Sequence, residues 1–131
     1  MWELLDLPDR TVEQDERMVH EAHASRLHWD NVGGPTSWTV GEWQCSRVYA
    51  TLGRAEPAIH HGERALAICE EADIEGFFRA EAYEALARAH AIGGNQAEAE
   101  RYRDLAWKSA ETIDDAEDRE TFERDMSTLP S

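Results

Sequence analysis

Lysine is almost missing from this chain: Lys108 stands alone among 13 lysine and arginine residues, which face 28 aspartates and glutamates. The resulting formal charge of −15 argues against nucleic acid and membrane surfaces as partners, because contact with either would add repulsion instead of releasing counterions. Cysteine is scarce as well. Cys45 and Cys69 have no Cys-x-x-Cys spacing and fall within apolar helical patterns, so they read as buried thiols of a reducing compartment and not as a disulfide scaffold. No apolar run approaches the roughly 20 residues that span a bilayer. The opening MWELLDLP carries Glu3 and Asp6 without a basic start, which makes a poor signal peptide, and a cytoplasmic location is expected. β-branched residues are sparse and none of them alternates through a longer run, so nothing reads as strand.

Signatures of catalysis are absent too. There is no nucleophile elbow, phosphate-binding glycine loop or dinucleotide fingerprint. His20-Glu21-Ala22-His23 is one residue short of the H-E-x-x-H zinc signature, and no Glu-x-x-His pair occurs. Paired carboxylates discriminate nothing in a chain this acidic. No enzyme activity, metal or cofactor is expected.

What the chain does contain is helical periodicity with strong punctuation. Its 131 residues suit one domain, which removes roughly 65–70% of the unfolded surface from water. Residues 1–10 read as an extension that packs Trp2, Leu4 and Leu5 onto the body. A helix over 11–32 opens on a Thr11/Gln14 capping box and ends before Gly33-Gly34-Pro35, with Val12, Val19, Ala22 and Trp29 on its apolar face, helped by His23 and Leu27. After the linker GGPTSW, a helix from about Val40 is expected to start on a Thr39/Glu42 capping box with a Trp38/Trp43 staple. Gly53 then turns the chain into a helix whose small or apolar positions are Ala58, Gly62, Ala65, Leu66 and Cys69. Gly62 inside that helix costs about 1 kcal/mol relative to alanine, which argues for close approach of something bulky. Another hairpin follows, in which Gly94 corresponds to Gly53, Ala99 to Ala58 and Ala106 to Ala65, each 41 residues on. Asn95 and Glu98 make a capping box for its second helix. A last helix presents Phe122, Met126 and Leu129 on one side. A fixed period is expected where each unit cannot bury its apolar face alone and stacks on its neighbour.

LGRAEPAIHHGERALAICEE resembles a tetratricopeptide repeat of the longer, roughly 40-residue kind. Gly53 and Gly94 match the family's turn glycine, Tyr49 and His90 its tyrosine position, and Ala58, Ala65, Ala99 and Ala106 the alanines of its second helix. The resemblance covers residues 39–113: repeat one over 39–74 and repeat two over 75–113, with 114–131 similar to a capping helix and tail. Departures are Glu42 and Ser46, then Tyr83 and Ala87, at the usual tryptophan and glycine, and Gly62 and Arg103 where an aromatic residue is common. The resemblance implies an all-α fold of about six helices, antiparallel hairpins stacked as a short right-handed solenoid. It also implies a non-catalytic module that holds a protein or peptide in the groove lined by the first helix of each repeat. Carried over by position, that groove has Trp43, Arg47, Glu81, Glu84 and Arg88 among its residues. Arg47 and Arg88 would either receive a partner's carboxylates or pair with local acids such as Glu84.

The alternative is a small-ligand or metal-binding helical domain. Its pocket would lie between the helices over 11–32, 40–52 and 55–72, at His23, Trp43 and Gly62, with His28, Trp29 and Trp38 nearby. The acid-rich stretch 111–125 is either a solvated outer face or a dock for a basic partner. Two repeats fall short of the three or so that stabilise a stack, so the flanking helices or a second copy of the chain must cover its ends.

Overall fold

Thr11 and Gln14 satisfy each other's backbone amides: Gln14 N–H donates to Thr11 Oγ1 at 3.1 Å and Thr11 N–H donates to Gln14 Oε1 at 2.9 Å. Helix α2 (Val12–Val32) starts there, behind the one-turn α1 (Trp2–Leu5). The structure is a computed structural model that describes residues 2–5, 7 and 9–130, without the side chains of residues 2, 3 and 29–32. The expected packing of Trp2 and Trp29 therefore lies outside the described side chains. The later elements are α3 (Pro35–Thr51), α4 (Ala55–Glu71), α5 (Phe77–Ile92), α6 (Gln96–Ala110) and α7 (Ala116–Ser127). Every described element is an α-helix.

Helix α3 begins earlier than the sequence suggested, and this is a correction. Pro35 occupies the first turn, where its missing N–H and fixed φ cost nothing. PTSW is thus helix and not linker, and Thr39/Glu42 and Trp38/Trp43 are interior residues, neither capping box nor staple. Burial explains the difference: Thr39 is fully enclosed, and its hydroxyl donates to the Ala65 carbonyl at 2.9 Å. The second expected box is half formed. Asn95 Oδ1 accepts from Glu98 N–H at 3.3 Å, but the Glu98 carboxylate turns to Arg101 Nη2 at 2.7 Å. Asp115 caps α7, accepting from Asp118 N–H at 2.9 Å.

The two inner turns are built alike. Gly53 and Gly94 have φ of 75° and 82°, the left-handed region that favours glycine. Arg54 N–H donates to Tyr49 O and Asn95 N–H to His90 O, both at 2.9 Å, and each bond is the other's counterpart 41 residues on. Helices pack in chain order, α2 on α3, α3 on α4, α4 on α5 and α5 on α6, while α5 also touches α3 and α7. The corresponding alanines Ala58 with Ala99, and Ala65 with Ala106, are all buried. Gly62 admits Leu86: a Cβ there would stand 3.0 Å from Leu86 Cδ2.

The ends are covered from within the chain. Among the described side chains of α2, Met18 and Ala22 are buried, one turn apart against Cys45 and Val48. Val12 and Leu27 are 73% and 63% exposed, which corrects the apolar face read from the sequence. Leu4 and Leu5 pack on the same cluster, held by Arg10, whose Nη1 donates to the carbonyls of Leu4, Leu5 and Leu7 and whose Nε meets Asp15 Oδ1 at 2.8 Å. At the other end Phe122 and Met126 enter a cluster with Ala80, Ala106, Ala110 and Ile113, joined by Leu129.

Candidate functional site

Five ionisable side chains, Arg47, Glu81, Glu84, Arg88 and Asp125, converge where α3, α5 and α7 meet. From α5, Glu81, Glu84 and Arg88 point inward and are all buried. Arg88 is the best-held of the five: it bonds Glu84 Oε1 at 2.9 Å through Nε and 2.7 Å through Nη2. Its Nη groups also donate to Thr128 O at 3.1 Å, Asp125 O at 3.0 Å and Thr128 Oγ1 at 2.7 Å, which ties the end of α7 to α5. Arg47, from α3, is loosely placed. Its guanidinium stands 3.9 Å from Glu84 and 3.8 Å from Asp125, beyond hydrogen-bond reach, with a quarter of the side chain exposed.

Glu81 is the anomaly. It is 0% exposed, no N–H or guanidinium donor among the described residues reaches its carboxyl, and it shares a side-chain hydrogen bond with the Asp125 carboxyl. Burial raises its pKa well above the ordinary carboxylate range, the Glu84 and Asp125 charges push the same way, and Arg47 opposes them. Burial also raises Glu84, against the pull of Arg88 and Arg47. Of the two, Glu81 is raised further, because burial and neighbouring acids dominate there while Glu84 has a guanidinium in contact.

Of the expected groove residues, Arg47, Glu81, Glu84 and Arg88 are therefore brought together. The last three, however, lie beneath the end of α7 and not on an open wall. The pairing of Arg88 and Arg47 with Glu84 is the local arrangement weighed above. Trp43 is half-buried beside Phe77, ring centroids 6.1 Å apart, and its buried indole N–H has no acceptor among the described residues. Asp125 and Thr128 were missed by the sequence reading. Arg88 and Asp125 lie 41 residues beyond Arg47 and Glu84, but the contacts differ: Arg47 and Glu84 are a side-chain pair at 3.9 Å, whereas Arg88 donates to the Asp125 backbone carbonyl.

A second polar cluster joins α2, α3 and α4. Glu42 accepts from Arg26 Nε at 2.5 Å, His61 Nδ1 at 2.7 Å and Arg64 Nε at 3.1 Å. Burial works against its charge, but the hydrogen bonds from His61, Arg26 and Arg64 outweigh it and hold the carboxyl at about 2. His23 Nε2 lies 2.8 Å from the Tyr49 hydroxyl, and the Tyr49 and His61 rings stack at 5.7 Å. Burial lowers the His23 pKa, with the His61 charge adding to it and Glu42 opposing, so this imidazole is neutral at pH 7. The cluster is a closed network that clamps three helices.

At the expected pocket around His23, Trp43 and Gly62, Leu86 of α5 packs against Gly62, and Ser46 Oγ also lies close to it. Of its other residues, His28 is exposed, Trp38 half-buried, and the Trp29 side chain outside the description. Among the described residues no group of three or more His, Cys, Asp and Glu side chains is arranged to hold a metal. An open cleft of about 370 Å³ lies elsewhere, between α5 and α6, lined in part by Arg79, Tyr83, Leu105 and Lys108. Cys45 and Cys69 are buried free thiols, and burial pushes Cys45 up to about 12. No helix among the described residues is long and apolar enough to cross a membrane. No family model, curated protein or solved structure matches this chain.

Proposed function

We propose that this protein is a non-catalytic, tetratricopeptide-like module that binds a polypeptide along the face where α3 and α5 lie side by side. In this reading the hairpins α3–α4 and α5–α6 are the two repeats of a short right-handed solenoid, and α7 stands in the place of a third first-helix. The matched turns at Gly53 and Gly94 favour that arrangement. One observation carries the functional part: α3 offers two side chains one turn apart with unspent polar capacity. These are the enclosed indole N–H of Trp43, which has no acceptor among the described residues, and the partly exposed guanidinium of Arg47, which touches its acids only at 3.8–3.9 Å. Arginine and tryptophan are the residues most enriched where binding energy concentrates.

The test is selection of peptides from a displayed library on the full chain, followed by affinity measurement with Trp43→Phe and Arg47→Ala. Selected peptides should lose about tenfold in affinity for each variant, the loss expected when a charged or buried hydrogen bond goes unmade. Failure to enrich any peptide, or equal affinity for wild type and both variants, would remove the proposal.

A further inference from the structure

Lys108 is the chain's single lysine, and in a sequence with 28 acids it makes no ion pair among the described residues. It is exposed and lines the cleft of about 370 Å³ between α5 and α6. That cleft lies at the open end of the hairpin, away from the Gly94 turn, where the first two turns of α5 face the last two of α6. One wall is fixed. Arg79 Nε donates to Ile74 O at 2.8 Å and its Nη2 to Cys69 O at 3.2 Å, and the same guanidinium meets Glu75 Oε1 at 3.2 Å. Glu75 is thus already paired. The apolar part of the lining comes from Leu105 and from Tyr83, which stacks on Tyr102 with ring centroids 6.2 Å apart. The formal charges of the lining balance, Arg79 and Lys108 against Glu75 and Glu111, so the cleft does not share the strong negative excess of the chain.

We propose that this cleft binds a small aromatic carboxylic acid as its anion, with the carboxylate on the Lys108 ammonium and the ring against Tyr83 and Leu105. A carboxylate suits Lys108 because an ammonium has three donors and no acceptor, and a bond between two ions is roughly twice as strong as a neutral one. An aromatic body suits the other side, since rings pack edge to face or offset on a tyrosine. The cavity falls at the small end of the range of about 300–1,000 Å³ over which ligand pockets occur. The site shares no residue with Trp43 and Arg47 and does not depend on the α3/α5 reading.

The experiment titrates the full chain, labelled with nitrogen-15, with sodium benzoate at constant ionic strength and follows the backbone amide resonances. Benzamide, of the same shape without the charge, is the control. Benzoate should give saturable shifts centred on residues 75–83 and 105–112, with a Kd of about 1 mM or below. Benzamide should bind about tenfold more weakly, and Lys108→Gln should lower benzoate affinity about tenfold while leaving benzamide unchanged. Lys108 is exposed, so unshifted amides in α2 and α3 will verify that the variant keeps the fold. The proposal is overturned if benzoate at about 10 mM gives no saturable shift in the two segments. It is equally overturned if benzoate and benzamide bind alike, or if Lys108→Gln binds benzoate as the wild type does.

Discussion

At the scale of single residues, two buried carboxyls behave in opposite ways because their neighbours differ. Glu42 has three N–H donors in contact that hold its pKa down, while Glu81 has no such donor and is raised by burial and by the neighbouring Glu84 and Asp125. For Glu81 the folded pKa lies above the unfolded value of about 4.3. Its contribution to stability is therefore complete below that pH and is lost as pH rises through the raised folded value. Glu81→Gln cannot lose a proton, so its stability relative to wild type should climb with pH across this window, read as urea midpoints at a series of pH values. Parallel curves would show that Glu81 is ionised throughout. Neither state was legible in the sequence, where Glu42 looked like a helix cap and Glu81 like one acid among many. Local pattern identifies a carboxylate, but only its neighbours in space decide whether it holds a charge.

Among the elements, α2 combines apolar and polar anchors: of its described side chains Met18 and Ala22 are buried, with Val19 partly covered. The Glu42 clamp, with Arg26 reaching from α2, adds a polar tie to α3. Glu42→Ala removes the buried carboxylate that accepts from Arg26, His61 and Arg64, so it should cost about 2 kcal/mol, the scale of a lost charge-assisted hydrogen bond. The loss should show as faster amide exchange in α2 before α5 or α6 changes. Uniform acceleration along the chain would place the clamp in the common core instead. Since the Glu42 pKa is depressed to about 2, its stabilisation is present above about pH 4.3 and disappears as pH falls toward 2. The existence of the helices and the Gly53 and Gly94 turns were readable from periodicity and glycine placement. The start of α3 was not, because a threonine followed three residues later by glutamate marks a helix start only when solvent, and not a neighbouring helix, surrounds it.

For the whole molecule, the question posed by two hairpins is what closes the ends. Leu4 and Leu5 of α1 cover the Met18 cluster, and Phe122 and Met126 of α7 cover the Ala80 and Ala106 cluster, so a second copy is not required for cover. With a formal charge of −15 opposing approach of like chains, light scattering at micromolar concentration should give the mass of one 14.9 kDa chain. A dimer would direct attention to the exposed Leu7, Val12 and Leu27 near the N-terminal end. Most acids of the 111–125 stretch face solvent, Asp125 being partly buried under Arg88 and Arg47. By itself the sequence determined the helices, the two matched turns and the alanines that let them pack, because 3.6-residue periodicity and left-handed glycine turns are properties of neighbouring residues. Only the tertiary structure decided which of many acids meets which arginine, that α7 closes over Glu81, and that Leu86 packs against Gly62. Those outcomes join residues far apart in the chain, and in so acidic a sequence nothing but packing selects one partner over another.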